Sequence, residues 1–191
     1  DYERAGVLYD EAAEALRSSG CEDAYRYASL YNNISLFYAE TGDDERAGAE
    51  LLKALELITK LPDCEVEEAT TYINLSLLDI RYGRYDEAET YISKALGIFK
   101  RDKGRKYKDA HYGAALSAYG DLHLKRGEYA KAVEAYEEAL TEIARSYGYS
   151  NTAYRATCEN CIAAYENIIL NNGGNKGQQE DNEYALSKKS S

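Results

Sequence analysis

The chain has 191 residues, of which 45% are hydrophobic and 30% are charged, and it carries a formal net charge of −11 at pH 7. Such an acidic chain is poorly suited to nucleic acid, because phosphate neutralisation by lysine and arginine supplies most of that affinity. No stretch approaches the roughly 18 uninterrupted apolar residues of a membrane span, and no charged-then-apolar leader resembles a signal peptide. We therefore expect a soluble, cytoplasmic protein with no nucleic-acid or membrane partner.

A repeated pattern divides the chain into pairs of helices. The glycines Gly42, Gly83 and Gly127 stand 41 and then 44 residues apart, and a fixed period of this length is typical of a stacked repeat array. An amphipathic segment precedes each glycine and another follows it, with apolar residues at steps of three and four. Glycine can end the first helix of each pair because it has no β-carbon to clash in the left-handed conformation. Each unit is therefore predicted to be a helical hairpin.

In chain order, the repeat pattern predicts one continuous array over residues 1–170. The array begins in the middle of a unit and ends with a unit whose second half has no match in the sequence. Its parts are the second helix of a truncated repeat at 1–22, full hairpins at 24–64, 67–105 and 110–148, and the first helix of a last repeat at 152–170.

Residues 171–191 lie beyond the last recognisable repeat. The stretch from Asn171 to Gly177 is polar and rich in glycine, and only the segment from Glu180 to Lys188 could form a short helix. The sequence therefore predicts a polar tail or a short capping helix there. The chain contains no methionine and Asp1 lies within a repeat, which indicates either a segment of a longer protein or an incomplete residue list.

The two clearest copies of the repeat resemble a known family. They read Gly83-Arg84-Tyr85-Asp86-Glu87-Ala88 and Gly127-Glu128-Tyr129-Ala130-Lys131-Ala132, each followed by a tyrosine and an Ala-Leu pair. This pattern after a helix resembles the tetratricopeptide repeat, and its long period resembles the variety found in kinesin light chains. The resemblance implies an all-α, right-handed superhelix, an α-solenoid of stacked antiparallel hairpins. It carries less information on function, because many unrelated proteins use this scaffold.

The resemblance also implies where a partner would bind. In this family the first helices line a concave groove, and an asparagine there commonly hydrogen-bonds the backbone of a bound peptide; Asn33, Asn74 and Asn160 take this place, and Ala118 replaces it in the third unit. A carboxamide suits the task because it offers both a donor and an acceptor. A second interpretation, that the asparagines satisfy neighbouring helix ends, stays open. The candidate groove residues are Asn32, Asn33, Asn74, Arg81, Asp121, Lys125 and Asn160.

Residues that could bind a metal or catalyse a reaction are not arranged as such sites require. Cys158 and Cys161 form a Cys-x-x-Cys motif, but inside a helical pattern and without a second pair. His111 and His123 stand about 18 Å apart along a helix axis, too far to share one metal. The sequence contains neither a phosphate-binding glycine loop nor a Gly-x-Ser-x-Gly motif. We predict no metal site, no cofactor, no catalytic residue and no enzymatic activity.

Charge is distributed unevenly along the chain. Residues 1–99 contain 21 acidic and 9 basic side chains, a balance of −12, whereas residues 100–191 contain 13 acidic and 14 basic side chains, a balance of +1. A basic run at 100–108 coincides with the residues that lengthen the period to 44, so it is predicted to be a longer loop. This loop is either a solvated connector or a docking point for an acidic partner.

The sequence predicts a non-catalytic scaffold that holds a protein or peptide in the groove of the superhelix. The partner could also be another domain of the same longer protein. One alternative is a ligand-responsive sensor segment of a multidomain regulator, such as a bacterial peptide receptor or transcriptional regulator. A further alternative is an architectural spacer or self-association module.

Overall fold

The structure is a computed structural model that describes residues 2–18, 23–101 and 110–189. Helices account for nearly all of these residues, and they alternate between the first and second positions of a hairpin. They are α1 (Tyr2–Ser18), α2 (Ala24–Thr41), α3 (Asp44–Ile58), α4 (Glu65–Arg81), α5 (Tyr85–Arg101), α6 (Ala110–Lys125), α7 (Tyr129–Tyr147) and α8 (Thr152–Lys189).

Three complete hairpins form the middle of the array, and their turns have the predicted glycine conformation. Helices α2 and α3, α4 and α5, and α6 and α7 pack as pairs. The φ angles of Gly42, Gly83 and Gly127 are 83°, 73° and 76°, a region that residues with a β-carbon rarely adopt. After the first of these turns, Asp43 accepts a hydrogen bond from the backbone N–H of Arg46 at 3.2 Å, which caps α3. Each turn thus ends one helix and starts the next within two or three residues.

Burial of small and large apolar residues holds the hairpins together. Ala47, Ala88 and Ala132 are at most 1% exposed where the second helix of each hairpin lies against the first, and larger side chains there would separate the two helices. The main core cluster runs from α4 to α7 and includes the fully buried Phe99 and Leu122. Because this cluster crosses between hairpins, neighbouring units depend on each other for stability. The predicted all-α solenoid of stacked hairpins is confirmed.

Two arginines connect neighbouring hairpins near their turns. Arg126, at the end of the third hairpin's first helix, donates to the carboxylate of Glu89 at 2.7 Å, to that of Asp86 at 2.9 Å and to the carbonyl of Tyr85 at 3.1 Å. Arg81 makes the equivalent connection one repeat earlier, to Asp44 and to a carbonyl of α2. These ion pairs fix how one repeat sits on the next.

The C-terminal region differs from the sequence prediction. The predicted tail or short capping helix at 171–191 is replaced by an uninterrupted continuation of α8 to Lys189, so that this helix has 38 residues. Gly173 and Gly174 each cost about 1 kcal/mol relative to alanine within a helix, but they do not forbid it as proline would. Beyond Arg101, the predicted basic loop at 100–108 lies outside the described residues.

Candidate functional site

The first helices of successive hairpins enclose two adjoining cavities, which we call the central groove. One cavity, of about 350 Å³, lies between α4, α6, α8 and the end of α7, and the second, of about 670 Å³, continues towards the turns. Leu77, Asp121 and Asn160 line both cavities. These three residues belong to α4, α6 and α8, so the groove is a joint product of three repeats.

Asp121 is the most enclosed charged group of the central groove. Its Oδ1 atom accepts hydrogen bonds from the hydroxyl of Tyr136 at 2.6 Å and from the Nδ2 of Asn160 at 3.0 Å. Burial raises the pKa of Asp121, although both hydrogen bonds and the charge of Lys125 act in the opposite direction. Its neighbours therefore hold the carboxylate in place, but their interactions do not fully offset the cost of removing the charged carboxylate from water.

Close packing between α6 and α7 positions this carboxylate. A β-carbon added at Gly120 would lie 2.5 Å from the nearest ring atom of Tyr136, so only glycine admits the ring there. Tyr136 is fully buried, and burial raises the pKa of its hydroxyl. The hydroxyl therefore remains protonated and serves as a hydrogen-bond donor to Asp121.

The predicted asparagines have different roles in the structure. Asn32 donates to Thr71 at 3.0 Å and accepts from the Nδ2 of Asn74 at 3.3 Å, which links α2 to α4. Asn160 links α8 to α6 through Asp121. Asn33 is exposed and lines neither cavity of the central groove. Three of the asparagines thus bond neighbouring helices, through side chains rather than helix ends, while Asn74 and Asn160 also line the groove.

The two predicted basic residues lie in the wider cavity. Arg81 donates to Asp44 at 2.6 Å and to the carbonyl of Ala39 at 3.0 Å, so its guanidinium already forms an ion pair within the protein. Lys125 is exposed on the last turn of α6 and lines the same cavity. The positive end of the groove therefore consists of one paired guanidinium and one ammonium.

Small residues form much of the narrower cavity, and of these only Ala118 was expected in the groove from the sequence. Ala114 on α6 and Ala153 and Ala156 on α8 are exposed to it, and Ala118 is buried beside them. Alanines on the exposed side of a helix are usually attributed to high helix propensity, so they give no signal of a binding site. Gly120 was the signal that could have revealed the buried network, because a glycine inside a helical pattern often marks a close approach.

The histidines and cysteines do not assemble into a site. His111 lines the central groove, whereas His123 is buried beside a different cavity of about 580 Å³, bonded through Nδ1 to Glu128 and with no partner for Nε2. Cys158 and Cys161 are free thiols on α8, and Cys161 is buried. In the part of the chain that the structure describes, no group of three or more potential ligands could hold a metal ion.

Comparison with protein families identifies the array. Two family models, both described as tetratricopeptide repeat, match residues 26–101 and 113–142, together more than half of the chain. The chain belongs to the tetratricopeptide repeat family. In the structure, these two tetratricopeptide segments correspond to the hairpins α2–α5 and to most of the hairpin α6–α7.

Curated relatives share this repeat region rather than a whole protein. A clustered mitochondria protein homolog of Aspergillus oryzae is 28% identical over 63% of this chain and 10% of its own length. Regulatory protein RapG of Bacillus subtilis is 26% identical over 81% of the chain, and mitochondrial import receptor subunit TOM70 of Rattus norvegicus is 25% identical over 79%. The tetratricopeptide array spans 41% of RapG and 25% of TOM70.

Solved structures with the same arrangement of helices support the fold. The crystal structure of BtubC (BKLC) from P. vanneervenii has a TM-score of 0.70 and 22% identity, covering 88% of this chain and 66% of that protein. The apo form of RapI has a TM-score of 0.65 and 17% identity over 86% of this chain and 43% of its own. Among the described helices, none combines the length and apolar character required to cross a membrane.

Proposed function

We propose that this tetratricopeptide array is a non-catalytic scaffold that binds a protein or peptide segment in the central groove. The observation that carries the proposal is the pair of adjoining cavities between α4, α6 and α8, which share Asp121 and Asn160. Their volumes of about 350 and 670 Å³ lie in the range of ligand sites. Exposed alanines along one wall leave room for a polypeptide to lie close to the helices.

The chemistry of the groove favours binding over catalysis. The hydroxyl that is bonded to a carboxylate there, that of Tyr136, is fully buried and has a raised pKa. An activated nucleophile requires the opposite, a lowered pKa or an accessible atom beside a base. The candidate side chains Asn74, Arg81, Lys125 and Asn160 supply donors, acceptors and charge for recognition.

A ligand-responsive sensor segment is the second candidate function. Two observations favour it: the similarity to RapG, named a regulatory protein, and the match to less than half the length of each curated relative named above. A segment bound across α4, α6 and α8 would contact three repeats at once, so binding could change how they stack. Small-angle scattering of the protein, with and without a selected peptide, distinguishes a static scaffold from a sensor.

The scaffold proposal is tested by filling the groove with a large side chain. Peptides are first selected against the unmodified protein from a random dodecapeptide library displayed on phage. Ala156→Arg introduces a long side chain at an exposed position that lines the narrower cavity, and we expect it to weaken the selected peptides about tenfold or more by steric exclusion.

Ala49→Arg provides the matched control, because Ala49 is exposed on the second helix α3. Binding to this variant should remain within about twofold of the unmodified protein, a change well below the 1.4 kcal/mol of a tenfold effect. Equal affinity of the selected peptides for both arginine variants would show that they bind elsewhere and would refute the groove as the site.

A further inference from the structure

We infer that the central groove recognises a basic side chain, lysine or arginine, with Asp121 as its counter-ion. The inference rests on the proposed function and specifies the chemical class of the bound segment. It depends on the placement of Asp121 at the junction of the two cavities, on the hydrogen-bond acceptors around it and on the apolar surface that leads to it.

Hydrogen bonding inside the protein leaves two carboxamide oxygens of cavity-lining residues without a donor in the described part of the protein. Asn74 uses its Nδ2 group to donate to Asn32, and Asn160 uses its Nδ2 group to donate to Asp121. Within the described residues, the carboxamide oxygens of Asn74 and Asn160 accept no hydrogen bond from the protein. An ammonium or guanidinium group, which has only donors, matches two carboxamide oxygens and a carboxylate.

The electrostatic environment of Asp121 favours an incoming cation. No lysine or arginine nitrogen of the described residues lies within 4.0 Å of its carboxylate. Tyr136 and Lys125 act on the pKa of Asp121, and His111 and Tyr147 line the narrower cavity with it. Arg81, which lines the wider cavity, is paired with Asp44. A half-buried carboxylate with hydrogen bonds but no ion pair gains more from a cation than a fully exposed one does.

The walls of the narrower cavity suit the aliphatic part of such a side chain. Ile73 and Leu77 on α4 and Ala114 and Ala118 on α6 line the space next to Asp121. Lysine and arginine commonly bury their methylene groups along apolar surface while the charged end reaches a polar partner. A ligand carboxylate at this point would instead face Asp121 and two carboxamide oxygens, so an acidic side chain is disfavoured.

The experiment uses the phage-selected dodecapeptides and the variant Asp121→Asn. Asparagine keeps an oxygen that can accept the hydrogen bonds of Tyr136 and Asn160, so the groove retains its shape while the charge is removed. We expect a lysine or arginine at one position of the peptides that compete with each other for the groove. Replacing it by norleucine should weaken binding to the unmodified protein about tenfold or more, and binding to Asp121→Asn by less than about threefold.

Glu45→Gln is the charge-matched control, because it removes one exposed carboxylate from α3. In this variant, the norleucine replacement should again weaken peptide binding about tenfold or more. Thermal unfolding of Asp121→Asn shows whether this variant is folded. If the variant does not fold, the norleucine peptides still test the need for a basic residue on the unmodified protein.

The possible outcomes separate this inference from the proposed function. Two results would overturn the inference and leave the groove as the binding site. In the first, peptides whose binding is abolished by Ala156→Arg contain no basic residue. In the second, replacing their basic residue weakens binding equally in the unmodified protein and in Asp121→Asn. Selected peptides that are indifferent to Ala156→Arg would overturn both. Groove-dependent peptides whose basic residue couples to Asp121 would support both.

Discussion

Gly120 illustrates how one residue can set the geometry of the groove. It lies inside α6, where its missing β-carbon leaves space for the ring of Tyr136, and that ring delivers a hydroxyl to Asp121. At Gly97, inside α5, an added β-carbon would meet no described heavy atom within 4 Å other than its chain neighbours and the backbone of its own helix. The same amino acid is therefore required by packing at one position and is only a weak helix former at the other.

Substituting each of these glycines by alanine should have opposite effects on stability. For Gly120→Ala we expect a loss of about 1–3 kcal/mol in the free energy of unfolding, because the ring of Tyr136 must move out of a packed core. For Gly97→Ala we expect a gain of about 0.5–1 kcal/mol from helix propensity alone. Urea unfolding followed by circular dichroism measures both. A stabilised Gly120→Ala variant would contradict the close approach.

At the scale of helices, Arg126 and Arg81 make related contacts in different environments. The side chain of Arg126 is 20% exposed and that of Arg81 is 53% exposed. Hydrogen bonds to charged groups contribute more when they are shielded from water, whereas exposed ion pairs contribute little. The contacts that Arg126 makes between hairpins are therefore expected to contribute more to stability than those of Arg81.

Removing each arginine measures this difference. We expect Arg126→Ala to lower the free energy of unfolding by about 1–3 kcal/mol and Arg81→Ala to lower it by about 0.5–1 kcal/mol. Lys60→Ala serves as the surface control, because its pair with Glu56 is exposed on both sides, and its effect should lie within about 0.5 kcal/mol. Chemical unfolding at low and high salt provides the comparison. Equal decreases in the free energy of unfolding for the two variants would argue against a larger contribution of Arg126.

The helices and turns could be predicted from the sequence, whereas the hydrogen-bond network could not. Periodicity of apolar residues and the turn glycines are local signals, so the three hairpins followed from them. The bonds of Asn32 to Thr71 and of Asp121 to Asn160 join residues 39 positions apart, and side-chain pairs of that kind depend on how repeats stack. The length of α8 was also missed, because Gly173 and Gly174 suggest a break that their helix propensity does not enforce.

At the scale of the whole molecule, α1 packs against α2 and is less buried than the second helices of the later hairpins, as far as the structure describes its side chains. Ala12 is partly exposed, whereas Ala54, Ala95 and Ala139, which take the same position in the other second helices, are 0% exposed. Leu8 is 55% exposed on the same helix. In an array whose stability comes from contacts between neighbours, such a helix is expected to open before the central ones.

Hydrogen exchange read by mass spectrometry tests this order. Amides of α1 should exchange at least about tenfold faster than those of α5, because opening α1 exposes less apolar surface than opening a helix packed on both sides. Peptides from α5 act as the internal control within the same sample. Equal protection of α1 and α5 would mean that the array opens as one unit.

Asp121 belongs to α6, but its two hydrogen-bond donors are on α7 and α8. Its position is therefore fixed by the second helix of its own hairpin and by the helix that follows. A shift of this carboxylate by even a fraction of an ångström would be shared by both donors, and thus by the angle at which α8 continues the superhelix. We therefore expect occupancy of this small volume to be coupled to the direction in which the far end of the 38-residue helix points.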